Sequence, residues 1–213
     1  MIYFDSAATT MQKPPEVAQA SAYAMTHMAS PGRGGHRPGM LAADTAFRCR
    51  QTAAELFNVP DPEHVILTSN ATHGLNIAIR SLLRPGGRAV ISGYEHNAVT
   101  RPLAAIPDLT VRAAASPLFD RNAALDAFAR EIEQGADAVI CTHVSNVFGF
   151  VMPVEDIARM CARRGIPFVL DASQSAGVLP VDMQALRAAY VAMPGHKGLY
   201  GPQGTGLLLC GED

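Results

Sequence analysis

Seven short, almost wholly apolar runs, most of them separated by segments with helical spacing, constrain this chain more than any other feature. The runs are 64–68, 89–92, 109–115, 137–142, 167–171, 189–193 and 206–210. The segments 72–83, 97–106, 122–134, 154–164 and 182–188 between them are predicted helices. Two more helices are predicted ahead of the first run: 14–29, where Pro14 and Pro15 suit a first turn, and 40–57. Strands apolar on both faces and linked by helices belong in a sheet covered on both sides. The expected fold class is therefore α/β: a three-layer, mostly parallel seven-stranded sheet with helices on both faces.

Composition narrows the function classes. Of 213 residues, 48% are apolar and 17% charged, which is globular and neither disordered nor fibrous. The length suggests one large domain, or one domain plus an incomplete second. Net charge is −2 and no Lys/Arg run stands out, so nucleic acid is not an expected partner. No apolar stretch approaches the ~20 residues of a membrane span. The first residues, Met1-Ile2-Tyr3-Phe4-Asp5, lack the basic and apolar regions of a signal peptide. Cys49, Cys141, Cys161 and Cys210 form no C-x-x-C pair, so reduced thiols and a cytoplasmic location are expected. Cys141 and His143 lie two apart with no second pair to support them, and no metal site is expected.

Ligands of such sheets collect beyond the carboxyl ends of the strands. Five polar groups fall there: Ser69 to Gly74, Gly93 to Asn97, His143 to Asn146, Asp171 to Gln174, and Pro194 to Lys197. Asp171 ends a buried run, where a carboxylate needs a donor or cation; it is either a helix cap, a metal ligand, or the partner of a protonated ring nitrogen. Lys197 is either a solvated loop charge or, following apolar Val191-Ala192-Met193, a partly desolvated amine suited to a Schiff base. Thr72 opens a helix after a strand, as a plain cap or as part of a phosphate cradle. His96 is either a packed surface histidine or a flat side chain stacked on a ring. A carboxylate, an amine, a phosphate cradle and a flat side chain together match pyridoxal 5′-phosphate. The glycines Gly201, Gly204 and Gly206 run in the wrong order for a dinucleotide fingerprint and precede a strand.

Six motifs, in order along the whole chain, resemble the class V aminotransferase family, most closely the cysteine desulfurases and selenocysteine lyases. They are Tyr3 to Thr10, Asn70 to Asn76, Glu95-His96-Asn97, His143 to Asn146, Asp171 to Ser175 and Gly195 to Pro202. The resemblance implies a fold-type-I pyridoxal-phosphate enzyme. Lys197 would form the Schiff base and, with His96, be catalytic; His96 would also stack on the ring. Asp171 would pair with the pyridine nitrogen. Gln174 and Asn146 would lie near the ring's phenolic oxygen. Thr72 and His196 would hold the phosphate, with His73 counted among the cofactor-binding residues. The chain departs from the pattern at Pro194, where the family usually has Ser, and at His73, where many relatives have Glu or another polar residue.

By the same resemblance, residues 1–40 would be an N-terminal segment and active-site entrance loop. Residues 41–213 would be the cofactor-binding large domain. The family's smaller C-terminal domain, which carries the substrate-gripping Arg and the attacking Cys, would be absent. The implied activity is sulfur removal from L-cysteine, or a similar small amino acid, giving alanine and persulfide. Two alternatives stand beside it: amino transfer to a keto acid, and a catalytically incomplete cofactor-binding domain. A homodimer and a sulfur-acceptor protein are the implied partners.

Overall fold

The computed structural model describes residues 2–211, and in it the apolar runs form one seven-stranded sheet. The strands are β1 (Val65–Thr68), β2 (Arg88–Ser92), β3 (Thr110–Ala114), β4 (Ala138–Thr142), β5 (Phe168–Asp171), β6 (Tyr190–Pro194) and β7 (Gly206–Cys210). The helices are α1 (Pro15–His27), α2 (Arg37–Phe57), α3 (Ala71–Leu82), α4 (Asn97–Ala104), α5 (Arg121–Glu133), α6 (Val154–Ala162) and α7 (Met183–Leu186). The spatial order is β1-β7-β6-β5-β4-β2-β3. From β6 across to β3 every pairing is parallel, while β7 runs antiparallel to both its neighbours. All six other strands therefore end on one edge.

The inner strands β2 and β4 to β7 read as continuous apolar runs because both of their faces are covered, whereas the edge strands β1 and β3 leave Ile66, Leu67 and Val111 exposed. Ala89, Ile91, Ala138, Ile140, Val169, Ala192 and Leu208 face Leu75 and Ile79 of α3 and Val99 and Leu103 of α4. The alternate residues Val90, Val139, Cys141, Phe168, Leu170, Val191, Met193 and Leu209 face Phe128 and Ile132 of α5, Ile157 of α6 and Phe57 of α2. Each large apolar side chain so buried contributes about 1.5–3 kcal/mol relative to exposure. Period-2 alternation thus splits one sheet into two cores, giving the expected three layers.

Two local differences from the sequence reading have simple causes. The second helix begins at Arg37 rather than at 40, because Pro38 sits in its first turn and the His36 side chain caps it by accepting the Gly39 N–H (3.2 Å). Position 40 therefore lies inside a helix. A single 3₁₀ turn at Pro62–His64, capped by Asp61, leads into β1. No helix among the described residues is long and apolar enough to cross a membrane. By contrast, α1 has no buried residue, and Ile2, Phe4, Met25, Val147 and Val178 are widely exposed.

Candidate active site

All five polar groups predicted at the strand ends meet in one cavity of about 180 Å³. Asn70, Ala71 and Thr72 come from the β1–α3 turn, His96 from the start of α4, and Asn146 from beyond β4. Asp171 and Gln174 follow β5; Pro194, His196 and Lys197 follow β6. A larger cavity of about 660 Å³ lies at the opposite edge, by Pro167 and Ala189, and holds none of these groups. The smaller cavity is where titratable chemistry converges.

Asp171 is 2% exposed, closing the most central part of the rim. Its Oδ1 accepts both the N–H of Ser173 (2.9 Å) and the Ser173 hydroxyl (2.5 Å). Its Oδ2 has no donor among the described residues. Burial raises its pKa, against the opposing pull of Ser173, His96 and Lys197. Lys197 is partly buried, and that burial lowers its pKa, with Asp171 pulling the other way. The His196 pKa is lowered by burial and by the nearby charges of Lys197 and Lys13.

The start of α3 is an anion cradle. Asn70, not Thr72, is the cap: its side chain accepts the His73 N–H (2.8 Å), and its carbonyl accepts that of Gly74 (3.3 Å). The N–H groups of Ala71 and Thr72, and the Thr72 hydroxyl, have no acceptor among the described residues. Free donors at the positive end of a helix favour an anion. His73 is not among the lining residues; its ring turns back to Ser69, whose N–H approaches Nδ1 at 3.4 Å. His96 caps α4, its Nδ1 accepting the Ala98 N–H at 3.1 Å, which fixes the ring at the cavity wall.

Two features hold Lys197 in place. The first is a strap from the N-terminus. Thr10 donates its N–H to the His196 carbonyl (2.9 Å) and its hydroxyl to that of Lys197 (2.6 Å). Thr9 donates its hydroxyl to the His196 carbonyl (3.1 Å), and Gln174 donates to the Ala7 carbonyl (3.0 Å). The second is a close backbone approach. A Cβ on Gly198 would stand 2.3 Å from the Ala176 carbonyl oxygen, and one on Gly177, at φ +77°, 2.5 Å from the Gly198 oxygen. Only glycines let the loop after β6 press on the turn after Asp171.

Sequence reasoning missed Ser173, Thr142, Ala8 and the Thr9–Thr10 strap, and assigned no role to Glu95. Ser173, two residues after a buried Asp, carried a legible signal as an Asx-type turn. The strap carried none, because its contacts span 187 residues.

The family model for aminotransferase class-V matches residues 2–213. A probable cysteine desulfurase of Pyrococcus abyssi is 32% identical over all of this chain and 54% of its own length. The apo structure of a cysteine desulfurase from Thermococcus onnurineus NA1 superposes with a TM-score of 0.90 at 30% identity, covering 99% of this chain and 54% of that one. A variant of the lyase C-DES, with glycine covalently linked to its PLP cofactor, superposes at 0.86 with 25% identity, covering 99% and 57%. The chain spans about half the length of the curated relatives it matches. On the strength of a match that runs through nearly every residue, the chain belongs to the class-V aminotransferase family.

Proposed function

We propose that this chain is the pyridoxal-phosphate-holding part of a cysteine desulfurase. The single observation that carries the reading is the convergence of Lys197, Asp171 and the open start of α3 on one cavity. The donor set fits the cofactor: an amine for its aldehyde, a carboxylate oxygen without a protein donor for its ring nitrogen, and free helix N–H groups for its phosphate. When bound, the cofactor supplies an electron sink for the bond-breaking at the substrate's carbon.

The residues divide the remaining work. Lys197, desolvated, offers a neutral amine nearer neutral pH than a free lysine would. Asp171, held by Ser173, keeps the ring nitrogen protonated. Thr72 and the N–H groups of Ala71 and Thr72 bind phosphate, with His196 alongside. His96, locked as a cap, flanks the ring face, and its free ring nitrogen can hold or pass a proton. Asn146 and Gln174 orient the ring oxygen and the substrate carboxylate. His73, turned to Ser69, serves the cradle indirectly through its backbone N–H on Asn70.

L-cysteine or a similar small amino acid is the proposed substrate, in line with the desulfurase relatives. None of Cys49, Cys141, Cys161 or Cys210 lines the cavity, so a sulfur-taking thiol is not among these residues. That observation favours a second reading for the isolated chain: it binds cofactor without turning over. Residues 41–213 form the cofactor-binding body, with 1–40 bringing the strap and entrance loop. A homodimer in the cytoplasm, passing sulfur to an acceptor protein, completes the proposal; the exposed Phe4, Met25 and Val147 give it apolar surface to bury. The test is a visible absorption band on adding pyridoxal phosphate, present in the wild type and absent in Lys197→Ala. No band in the wild type would refute the reading.

A further inference from the structure

Glu95 stands behind the cavity rather than in its lining, and its surroundings do not suit an ionised carboxylate. Its Oε1 accepts the Ser92 hydroxyl at the end of β2 and the Thr142 N–H at the end of β4 (2.8 Å). The residue as a whole is only partly buried, yet Oε2 is sealed from solvent and has no partner among the described residues. No cation pairs with Glu95 among the described residues. The titratable group acting on it is the acid Asp171 from β5, and Glu95 in turn raises the pKa of the Cys141 thiol on β4. An anion with one empty oxygen, no counter-charge and a carboxylate neighbour is costly to bury.

The placement gives this carboxyl group a task. The β2–β4 ladder ends at the pair Ile91–Ile140, and Glu95 takes the Thr142 N–H beyond it. Thr142 in turn pairs in register with Asp171. We propose that Glu95 is a positioning residue held as the neutral acid, clasping the ends of β2 and β4 so that Asp171 is the one carboxylate presented to the cavity. This rests on the cofactor reading of Asp171 given above. Burial supports it, raising the Glu95 pKa to about 8 against the lowering effect of Ser92 and Thr142.

The test compares the wild-type chain with Glu95→Gln, a neutral isostere, and Glu95→Ala, first without cofactor. A carboxyl whose pKa is raised on folding stabilises fully below its unfolded value of 4.5. That stability is lost as pH rises towards about 8. The wild-type Tm should therefore fall relative to Glu95→Gln by about 3–5 °C per pH unit between about pH 5 and about pH 8, then level off. His143 and Cys141 remain in both proteins, so their own titrations largely cancel. Parallel curves would overturn the proposal. Should Glu95→Gln not fold, NMR of isotope-labelled glutamate carboxyls in the wild type decides the matter. One resonance should stay protonated at neutral pH, and its absence would overturn the proposal.

With pyridoxal phosphate added, Glu95→Gln should bind within about 3-fold of wild type and Glu95→Ala about 10-fold more weakly, the loss of roughly one hydrogen-bonded clasp. Equal loss in both would refute the positioning role. If no variant, wild type included, gives a Lys197-dependent band, the cofactor reading has failed; the cofactor-free Tm curves still decide the protonation state of Glu95.

Discussion

Thr10 and Lys197 are joined by a 2.6 Å hydrogen bond, hydroxyl to backbone carbonyl, across 187 residues of chain. The bond ties the loop carrying the amine to the N-terminal segment. Replacing Thr10 with Val keeps the shape and removes the donor. The expected cost is about 0.5–1.5 kcal/mol in folding stability, with a parallel loss of pyridoxal phosphate affinity of up to about 10-fold. Thermal melts and a cofactor titration check both; unchanged affinity would show that the strap does not position Lys197.

The contact between Gly177 and Gly198 leads to a second expectation. In Gly198→Ala the new methyl meets the Ala176 carbonyl oxygen, which is backbone and cannot swing aside. Destabilisation of about 1–3 kcal/mol should follow, with weaker cofactor binding as the Lys197 loop lifts away from Asp171. Gly35→Ala, at a position with nothing within 4 Å of the added Cβ, is the control and should melt like wild type.

Asp171→Asn keeps the side chain's size and its Ser173 contacts but removes the charge offered to a ring nitrogen. The chain should fold, and cofactor binding should weaken by about 10- to 100-fold, the usual worth of a hydrogen bond to a charged group. Equilibrium titration with pyridoxal phosphate measures it; wild-type affinity would remove Asp171 from the site.

Burial lowers the Lys197 pKa below its ordinary 10.5. The neutral amine is the reactive form, so bonding to pyridoxal phosphate should rise with pH and reach half its maximum below that value. A lysine peptide measured alongside gives the unshifted curve. Coincident curves would mean that Lys197 is solvated.

The 213-residue chain alone should release negligible sulfide from L-cysteine, since no thiol lines the cavity. Sulfide assayed with saturating cofactor tests this. Appreciable turnover would require one of the four cysteines to reach a site from which the structure keeps it.

The strands and their order of appearance were legible because burial on both faces leaves an unbroken apolar run such as Val139-Ile140-Cys141. The site was legible because a parallel sheet gathers its strand ends, so His96, Asp171 and Lys197 could be placed on one rim without knowing the strand order. The direction of β7 was not legible: Leu207-Leu208-Leu209 is equally apolar whichever way it runs. Nor was the orientation of the His73 ring, which turns back to Ser69. No role for Glu95 was legible, because its contact with Thr142 lies beyond the end of the β2–β4 ladder, which periodicity does not reveal.

The strap has a consequence for biogenesis. Residues 7–10 are synthesised well before their docking partners after β6, which lie 187 residues further along the chain. Closing a loop of this span is entropically slow and cannot begin until β6 and the loop after it exist. The candidate pocket therefore gains its N-terminal brace only after the strands β1 to β6 that frame it have been made.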